Sequence, residues 1–264
     1  MAKKMQESRA EKLLLCLYAA VVYLFLYAPV ITVTVLSFND SRVVGLPLRG
    51  FTTRWFTIVF TDPQLVAALG NSILLGILSA TIGTALAMLL ALAYRRPFPG
   101  NSALFYLIIA PVILPGVVGG VILVVFFGML GVDLSLWTTV LVAHVTWVLP
   151  FSFLSLYPVT HRFDKSLEEA AGDLGATRFV VFRRVVFPLI LPGLIAAWLF
   201  AFSLSFDEFV RTLFLTSHDR TLPVQFWYMI VESLSPEAPA MAVVIIIISV
   251  ATAFAGALFS RRSA

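Results

Sequence analysis

The sequence is poor in charged residues and almost free of cysteine. Of its 264 residues, 12% are Asp, Glu, Lys or Arg, whereas 60% are hydrophobic and the mean hydropathy is +0.99. A soluble domain cannot cover so much apolar surface, so lipid must solvate most of the chain. The single cysteine, Cys16, excludes an internal disulfide and a cage of cysteine ligands around a metal.

The sequence motifs of common catalytic sites are also missing. No lysine follows a glycine, so the phosphate-binding G-x-x-x-x-G-K-[ST] loop is absent. The three histidines are far apart in sequence and match no H-E-x-x-H zinc site, and there is no G-x-S-x-G nucleophile elbow. We therefore expect a chain without catalytic residues, without a metal site and without a cofactor of its own.

Long apolar runs predict an all-α integral membrane protein with six transmembrane helices. A helix needs roughly 20 mostly apolar residues to cross a bilayer. The stretches that qualify are residues 13–36, 69–93, 104–127, 136–157, 188–206 and 241–260. Pro111 and Pro115 predict a kink in the third span, and Gly116 with Gly120 forms a G-x-x-x-G pattern that permits close helix packing.

Basic residues are concentrated in the connections that would share one side of the membrane. With the N-terminus in the cytoplasm, the inner side holds 13 of the 18 Lys and Arg, as the positive-inside rule requires. They are Lys3, Lys4, Arg9, Lys12, Arg95, Arg96, Arg162, Lys165, Arg178, Arg183, Arg184, Arg261 and Arg262. The outer side keeps Arg42, Arg49, Arg54, Arg211 and Arg220. This pattern predicts that both termini are cytoplasmic, and it explains the positive net charge without nucleic-acid binding.

One segment, EEAAGDLGATRFVVFRRVVFPLILPG at residues 168–193, interrupts the apolar pattern with charges and glycines. Residues 164–174 fit a short helix whose apolar side is made by Leu167, Ala170, Ala171 and Leu174. Its acidic residues around the other side are Glu168, Glu169 and Asp173. Gly175 follows, where a left-handed turn would end the helix, and residues 177–187 fit a second, amphipathic helix at the membrane surface.

Two interpretations of this segment fit the residues. Charged connectors are usually solvated faces, so the segment could be an ordinary loop. Alternatively, the alanines of the short helix would let the groove of a partner protein approach closely. A small docking helix would explain why a membrane protein keeps this patch between two spans.

The motif resembles a known signature. Glu169-Ala170-Ala171, Gly175, Val185 and Pro188 resemble the EAA…G…I-LP loop of bacterial ABC-importer permeases of the binding-protein-dependent (type I) class. Valine replaces the isoleucine at Val185, and Phe187 replaces the leucine before Pro188. In that family the loop forms a coupling helix that fits into a groove of the cytoplasmic ATPase. The resemblance implies the ABC transmembrane type-1 fold. It assigns ATPase coupling to Glu168, Glu169, Ala170, Ala171, Asp173 and Gly175.

The resemblance extends over most of the chain. LYAPVITVTVLSFNDSR at 26–42, GFTTRWF at 50–56, FSLSFDEFVRTLFLTS at 202–217 and LPVQFWYMI at 222–230 are similar to the permeases of spermidine/putrescine importers. Such systems pair two different permeases with two copies of an ATPase, which binds ATP and Mg²⁺, and with a periplasmic substrate-binding protein. The resemblance implies a non-catalytic, multi-pass permease subunit of the bacterial inner membrane. Related permeases carry other small organic solutes, so the solute stays open.

Residues near the end of the fifth span are candidates for the substrate path. Asp207 and Glu208 follow Ser203 and Ser205 where this span would meet the outer face, and acidic residues at the edge of the hydrocarbon are costly. A polycation would be attracted by these carboxylates and by neighbouring aromatic rings. The aromatic candidates are Trp227 and Tyr228, together with Phe206 and Phe209. Alternatively, the carboxylates pair with Arg211 one turn on, or contact the binding protein.

The predicted domain boundary lies near Leu69. Residues 1–68 would hold the N-terminal cytoplasmic segment, the first span and a periplasmic loop, and residues 69–260 a five-helix core with the EAA loop at 158–187. Two other classes of protein are alternatives. A secondary transporter or channel would normally show internal repeats or a string of buried ionisable residues, and a membrane-embedded enzyme would show a clustered catalytic set. Neither feature is visible in the sequence.

Overall fold

A computed structural model describes residues 9–262, and their side chains within residues 11–260. Every regular element in this range is a helix, and one isolated bridge pairs Asn39 with Phe51. The predicted all-α fold is therefore confirmed. Residues 1–8 and 263–264 lie outside the described residues, and with them Lys3 and Lys4, which contribute to the prediction of a cytoplasmic N-terminus.

The described chain contains twelve α-helices and three π-helical turns. The α-helices are α1 (Arg9–Leu36), α2 (Arg54–Thr61), α3 (Pro63–Ala93), α4 (Asn101–Ile113), α5 (Gly116–Met129), α6 (Leu141–Arg162), α7 (Ser166–Asp173), α8 (Arg178–Val181), α9 (Phe187–Phe206), α10 (Val210–Leu215), α11 (Leu222–Tyr228) and α12 (Ala238–Arg262). The π turns are Leu136–Val140 before α6, Phe182–Val186 between α8 and α9, and Met229–Ser233 after α11.

Five uninterrupted helical segments are long and apolar enough to cross a membrane. They are Glu11–Leu36, Pro63–Ala93, Leu136–Arg162, Arg178–Phe206 and Ala238–Ser260. Each contains or overlaps one of the stretches predicted from hydropathy. The remaining predicted span, 104–127, is divided between α4 and α5, so the described chain has five candidate spans, or six when this pair counts as one.

The third predicted span is sharply broken. The axes of α4 and α5 differ by 108°. Pro111 lies in the last turn of α4 and Pro115 directly precedes α5, and a proline can neither donate a helical hydrogen bond nor avoid the carbonyl four residues earlier. The predicted kink is confirmed, and it is large enough to end one helix and begin another.

The G-x-x-x-G pattern of α5 packs against α10. A Cβ added at Gly120 would come within 2.8 Å of the Phe214 ring, and one added at Gly116 would lie 3.7 Å from Val210. A contact shorter than 3.0 Å requires the neighbour to move, so the absent side chain is what permits the close approach. The packing role predicted for these glycines is confirmed.

The described chain forms two compact units. Among the described residues, the first comprises residues 9–60 and 229–244, and the second comprises residues 61–228 and 245–262. In the first unit, Asn39 organises the loop after α1, because its side chain bonds the backbone of Gly45 and Arg49 at 3.0 and 2.9 Å. Its carbonyl accepts the Trp55 indole N–H at 2.8 Å. The domain boundary near Leu69 stays a prediction.

In the second unit, α3 and α6 run parallel. The Thr84 and Ser152 hydroxyl oxygens are 3.3 Å apart, and further along both helices the Thr160 hydroxyl donates to the Ala91 carbonyl at 3.3 Å. Contacts that advance in the same direction along two helices define a parallel pair. Since parallel neighbours need a crossing between them, the α4–α5 pair must return the chain from one end of the bundle to the other.

The other long helices of this unit run antiparallel to their neighbours. Helix α9 is antiparallel to α3: its later residue Phe202 lies against the earlier Gly76, and the Trp198 indole donates to Thr81 at 3.0 Å. Helix α12 is antiparallel to α9, since Ser249 bonds Asp207 and Gly256 packs on Leu199.

The bundle of the second unit therefore has two ends. One, the basic end, carries Arg95, Arg96, Arg162 and Lys165 beside α7. The other, the far end, is closed by hydrogen bonds from Ser217 to the Leu134 carbonyl and from Asn71 to the Arg220 carbonyl, both 3.0 Å. The structure thus brings to one end of the bundle basic residues that the sequence predicts on one side of the membrane.

Candidate functional site

The short helix predicted at 164–174 is present at the basic end as α7, Ser166–Asp173. The Asp164 carboxylate accepts a hydrogen bond from the Ser166 amide at 2.9 Å. This bond, together with one from the Ser166 hydroxyl, holds the pKa of Asp164 below its usual value. An ionised carboxylate at this position faces the positive end of the helix dipole, so it favours the start of the helix.

Gly175 ends α7 in the predicted left-handed turn. Its φ angle is +83°, a conformation that residues with a Cβ rarely adopt. Ala176 N donates to Ala171 O at 3.1 Å, and Gly175 N donates to Gly172 O at 2.8 Å. These two bonds form a Schellman motif, which satisfies carbonyls that the helix end would otherwise leave without partners.

The outward side of α7 is apolar and exposed. Leu167 is 47% exposed and Leu174 is 90% exposed, with the exposed Ala170 between them, and Phe179 on α8 is 69% exposed. We call these four residues the docking face. Large apolar side chains at the polar end of a membrane bundle are typical of an interaction surface. Glu169 and Asp173 are exposed as well, whereas Ala171 is half-buried.

Glu168 points toward the bundle. Its carboxylate forms an ion pair with Arg95, just beyond the end of α3. The Arg95 guanidinium lies 4.0 Å from the centre of the Phe163 ring, and Lys165 Nζ donates to the Arg95 carbonyl at 2.9 Å. Sequence reasoning treated Arg95 only as a marker of topology. No local pattern could identify the ion pair, because the two residues are far apart along the chain.

The predicted surface helix and the fifth span form one continuous helix. Residues Arg178–Phe206 run as a single 29-residue helical segment that is long and apolar enough to cross a membrane, so Pro188 does not open a new helix. It follows the π turn Phe182–Val186, in which Phe187 N donates to Phe182 O. The wider π turn explains the continuity, because it relieves the collision of a proline ring with the preceding turn of an α-helix.

A second polar region lies where α9 gives way to α10, at residues 207–209. Glu208 accepts from the Arg211 side chain at 3.0 Å and from its backbone amide at 2.9 Å. The Glu208 side chain is 9% exposed and that of Arg211 is 6% exposed. The Arg211 guanidinium also lies 3.9 Å from the centre of the Trp147 ring. For Glu208, the structure therefore shows the second of the two roles considered from the sequence, an ion pair with Arg211.

Asp207 has different surroundings. It is exposed in this chain, and its carboxylate accepts from the Ser249 hydroxyl at 2.6 Å. Within residues 11–260, no lysine or arginine lies within ion-pair distance of it. The two neighbouring carboxylates are therefore in opposite situations, since Glu208 has a counter-charge and Asp207 has none.

This polar region is deeper than the sequence suggested. Trp147, which covers Arg211, lies near the middle of the span Leu136–Arg162, and Ser249 lies near the middle of Ala238–Ser260. The sequence pattern predicts that Asp207 and Glu208 meet the outer face and that Arg211 is an outer residue. That placement is corrected, because α9 ends about halfway along the bundle and α10 continues to the far end.

Ser205 belongs to a buried hydrogen-bond network. His144 Nδ1 lies 2.7 Å from the Ser205 hydroxyl and His144 Nε2 lies 2.8 Å from the Thr212 hydroxyl. The Ser205 hydroxyl is also 3.0 Å from that of Ser79 on α3. The network links α3, α6, α9 and α10 on both sides of the break at 207–209. His144 is thus a hydrogen-bonded interhelical residue, as polar groups within a bundle usually are.

The other candidates for the substrate path differ in their surroundings. The Phe209 and Trp227 ring centres are 5.4 Å apart, and Trp227 is 44% exposed. In contrast, one face of Tyr228 is covered by the Arg220 guanidinium, 3.7 Å from the ring centre. Ser203 is half-buried, and its carbonyl accepts the Asp207 amide at 3.1 Å. The structure thus brings Asp207, Phe209 and Trp227 to one region, which we call the polar break.

Comparison with known proteins identifies the family. The model of the binding-protein-dependent transport system inner membrane component matches residues 72–263. The chain belongs to this family. Its fold class is thereby confirmed, and the permease is an inner membrane component of a transport system.

Curated relatives of the permease narrow the comparison. It is 33% identical over 246 residues to the spermidine/putrescine transport system permease protein PotC of Escherichia coli (strain K12), and the match covers 92% of each chain. It is 32% identical over 233 residues to the putrescine transport system permease protein PotI of the same strain, covering 85% of the permease and 82% of PotI.

A solved structure supports the fold independently. The permease matches a bacterial alginate ABC transporter, crystallised in complex with an alginate pentasaccharide-bound periplasmic protein, with a TM-score of 0.72. The match covers 96% of the permease and 95% of the other chain, at 18% identity. At this identity the likeness is evidence for the fold alone.

Proposed function

We propose that the permease imports polyamines as one subunit of an ATP-driven complex in the bacterial inner membrane. It takes the solute from a periplasmic binding protein and forms the path across the membrane with a second, homologous permease. The names of its relatives support this substrate class, and a carboxylate at the polar break supports it from the geometry.

The position of the Asp207 carboxylate is the main structural support for the proposal. It is an exposed carboxylate about halfway along the bundle, with a serine as its hydrogen-bond partner. A charge at that depth is costly against hydrocarbon, so it faces water or another protein chain. A path between two permeases would provide both, and an ammonium group of a polyamine would provide the missing counter-charge.

The two carboxylates have separate roles in this proposal. Glu208 stabilises the break, because Arg211 neutralises it inside the bundle. Asp207 meets the solute, and Trp227 offers an exposed ring face within reach of the same region for a cation–π contact. Tyr228 contributes less in this conformation, since Arg220 occupies one face of its ring.

The docking face indicates the partner at the basic end. Leu167, Ala170, Leu174 and Phe179 form an exposed apolar surface on a short helix, which suits the groove of a cytoplasmic ATPase. We propose two copies of that ATPase in the complex, one for each permease. They bind ATP and Mg²⁺, so the permease itself is non-catalytic.

The proposed orientation puts the basic end in the cytoplasm, as the positive-inside rule requires. Reporter fusions after Gly100 or Asp173 are expected to be active as cytoplasmic fusions, and fusions after Gly131 or Pro236 as periplasmic ones. Paired alkaline phosphatase and green fluorescent protein fusions measure both outcomes. A cytoplasmic signal at Gly131 would contradict the crossing assigned to α4 and α5.

The substrate class is tested by uptake into liposomes that contain the assembled complex and its binding protein. Spermidine and putrescine are expected to be taken up in an ATP-dependent manner, and each to compete with the other. A neutral amino acid and an acidic sugar serve as controls of similar size and different charge. ATP-driven uptake of a control with none of the polyamines would reject the substrate while keeping the transporter class.

A further inference from the structure

The contact between α7 and α3 passes through one arginine. Arg95 forms the ion pair with Glu168, its carbonyl accepts from Lys165, and its guanidinium covers the Phe163 ring. Its side chain is 9% exposed and that of Glu168 is 28% exposed. Exposed ion pairs contribute little, but removal of one partner from a largely buried pair leaves an uncompensated charge. The pair is therefore a specific connection between the two helices.

The rest of α7 is not packed continuously on the bundle. A cavity of about 470 Å³ opens behind it, between the end of α3, α7 and α8. Arg96, Gly172, Ala176 and Phe182 are among the residues that line it. Apart from its chain connections to α6 and α8, α7 is thus held to α3 chiefly at Arg95 and Glu168, on one side of this cavity.

Helix α3 connects the basic end to the polar break with fewer interruptions of its hydrogen-bond ladder than α6 or α9. It runs for 31 residues with proline only at its first position. In contrast, α6 contains Pro150 and Pro158, and α9 contains Pro192 and follows a π turn. Prolines and π turns interrupt the hydrogen-bond ladder and are the usual sites of helix bending. Near its middle, α3 contacts the polar network through Ser79.

We propose that the Arg95–Glu168 ion pair fastens the coupling helix to α3, so that a displacement of the docking face moves α3 as a rigid body. Through Ser79 and Ser205, this movement reaches the helix end at the polar break. Arg95 and Glu168 are positioning residues, which act without touching the ATPase or the solute. The inference rests on the proposed docking of α7 to an ATPase.

Neutralisation of either partner tests this role in the reconstituted complex. Arg95→Gln and Glu168→Gln are each expected to leave ATPase association unchanged and to lower the solute transported per ATP hydrolysed by about tenfold, a typical magnitude for the coupling of two sites. Arg96→Gln is the matched control, because it removes the same charge from the exposed neighbouring position. It is expected to transport normally.

A reversible cross-link between α7 and α3 tests whether the two helices must stay connected, or must come apart, during transport. In a Cys16→Ser background, the Arg95→Cys/Glu168→Cys variant is expected to lose coupling as the single variants do. A short bis-methanethiosulfonate reagent that joins the two cysteines should restore transport per ATP to at least half of the parent value, and a reducing agent should abolish the gain. A residue needed only for stability would show no such reversible recovery.

Three results would overturn the proposal. They are unchanged transport per ATP in both neutral variants, weakened ATPase association in either of them, and loss of the residual transport on cross-linking. Failure of the proposed substrate is distinguishable, because ATP hydrolysis stimulated by the binding protein still reports coupling when no polyamine is transported. In that case, hydrolysis that responds normally to the binding protein in Arg95→Gln would equally overturn the inference.

Discussion

Ala170→Glu is expected to abolish most transport while the permease still reaches the membrane. Ala170 is exposed between Leu167 and Leu174 on the docking face, so the new side chain disturbs no packing within the chain. When the face docks, the carboxylate is buried against the ATPase without a partner. This costs about 2 kcal/mol or more, which corresponds to an affinity loss of about 30-fold.

The measurements are pull-down of the ATPase with the tagged permease and uptake into liposomes. Ala170→Ser provides the control, since it adds a small neutral group at the same position and should keep both activities. Membrane levels of the two variants should be equal. Normal ATPase recovery together with normal uptake by Ala170→Glu would reject the docking face, and with it the coupling role of α7.

Asp207→Asn is expected to reduce spermidine uptake at limiting concentration by at least about tenfold, with the complex still assembled. A carboxylate and an ammonium group 4 Å apart attract each other by about 4 kcal/mol at an effective dielectric constant of about 20, and about 1.4 kcal/mol is a factor of ten. Asp207→Glu keeps the charge and should retain part of the activity. Asp133→Asn removes a charge from the exposed far end and should be neutral.

Glu208→Gln is expected to fail in a different way. It leaves Arg211 buried without its counter-charge, at a cost of about 3–5 kcal/mol, so the yield and thermal stability of the complex should fall for every solute. Replacing both residues, as Glu208→Gln/Arg211→Met, should restore assembly because no unpaired charge remains. If Asp207→Asn lowered stability and Glu208→Gln lowered only spermidine uptake, the roles assigned to the two carboxylates would be reversed.

The local features of this permease could be predicted from its sequence. The presence and approximate positions of the long apolar helices follow from the apolar runs, because each helix must satisfy its own backbone hydrogen bonds in lipid. The turn at Gly175 is equally local, since only a residue without a Cβ readily adopts its φ of +83°. The break near Pro115 could also be predicted as a kink, because proline has no backbone N–H and its ring collides with the preceding turn. Its angle of 108° could not be predicted.

The burial of the charged and polar residues, and their partners from distant segments, were decided by the tertiary structure alone. In a soluble helix, apolar periodicity identifies the buried face, but in a membrane both lipid and the bundle interior accept apolar side chains. The sequence therefore could not show that Arg211 is buried or that Asp207 and Glu208 lie halfway along the bundle. The pairing of Arg95 with Glu168 also depends on how distant segments meet, since parallel packing of α3 and α6 brings their ends to the same side.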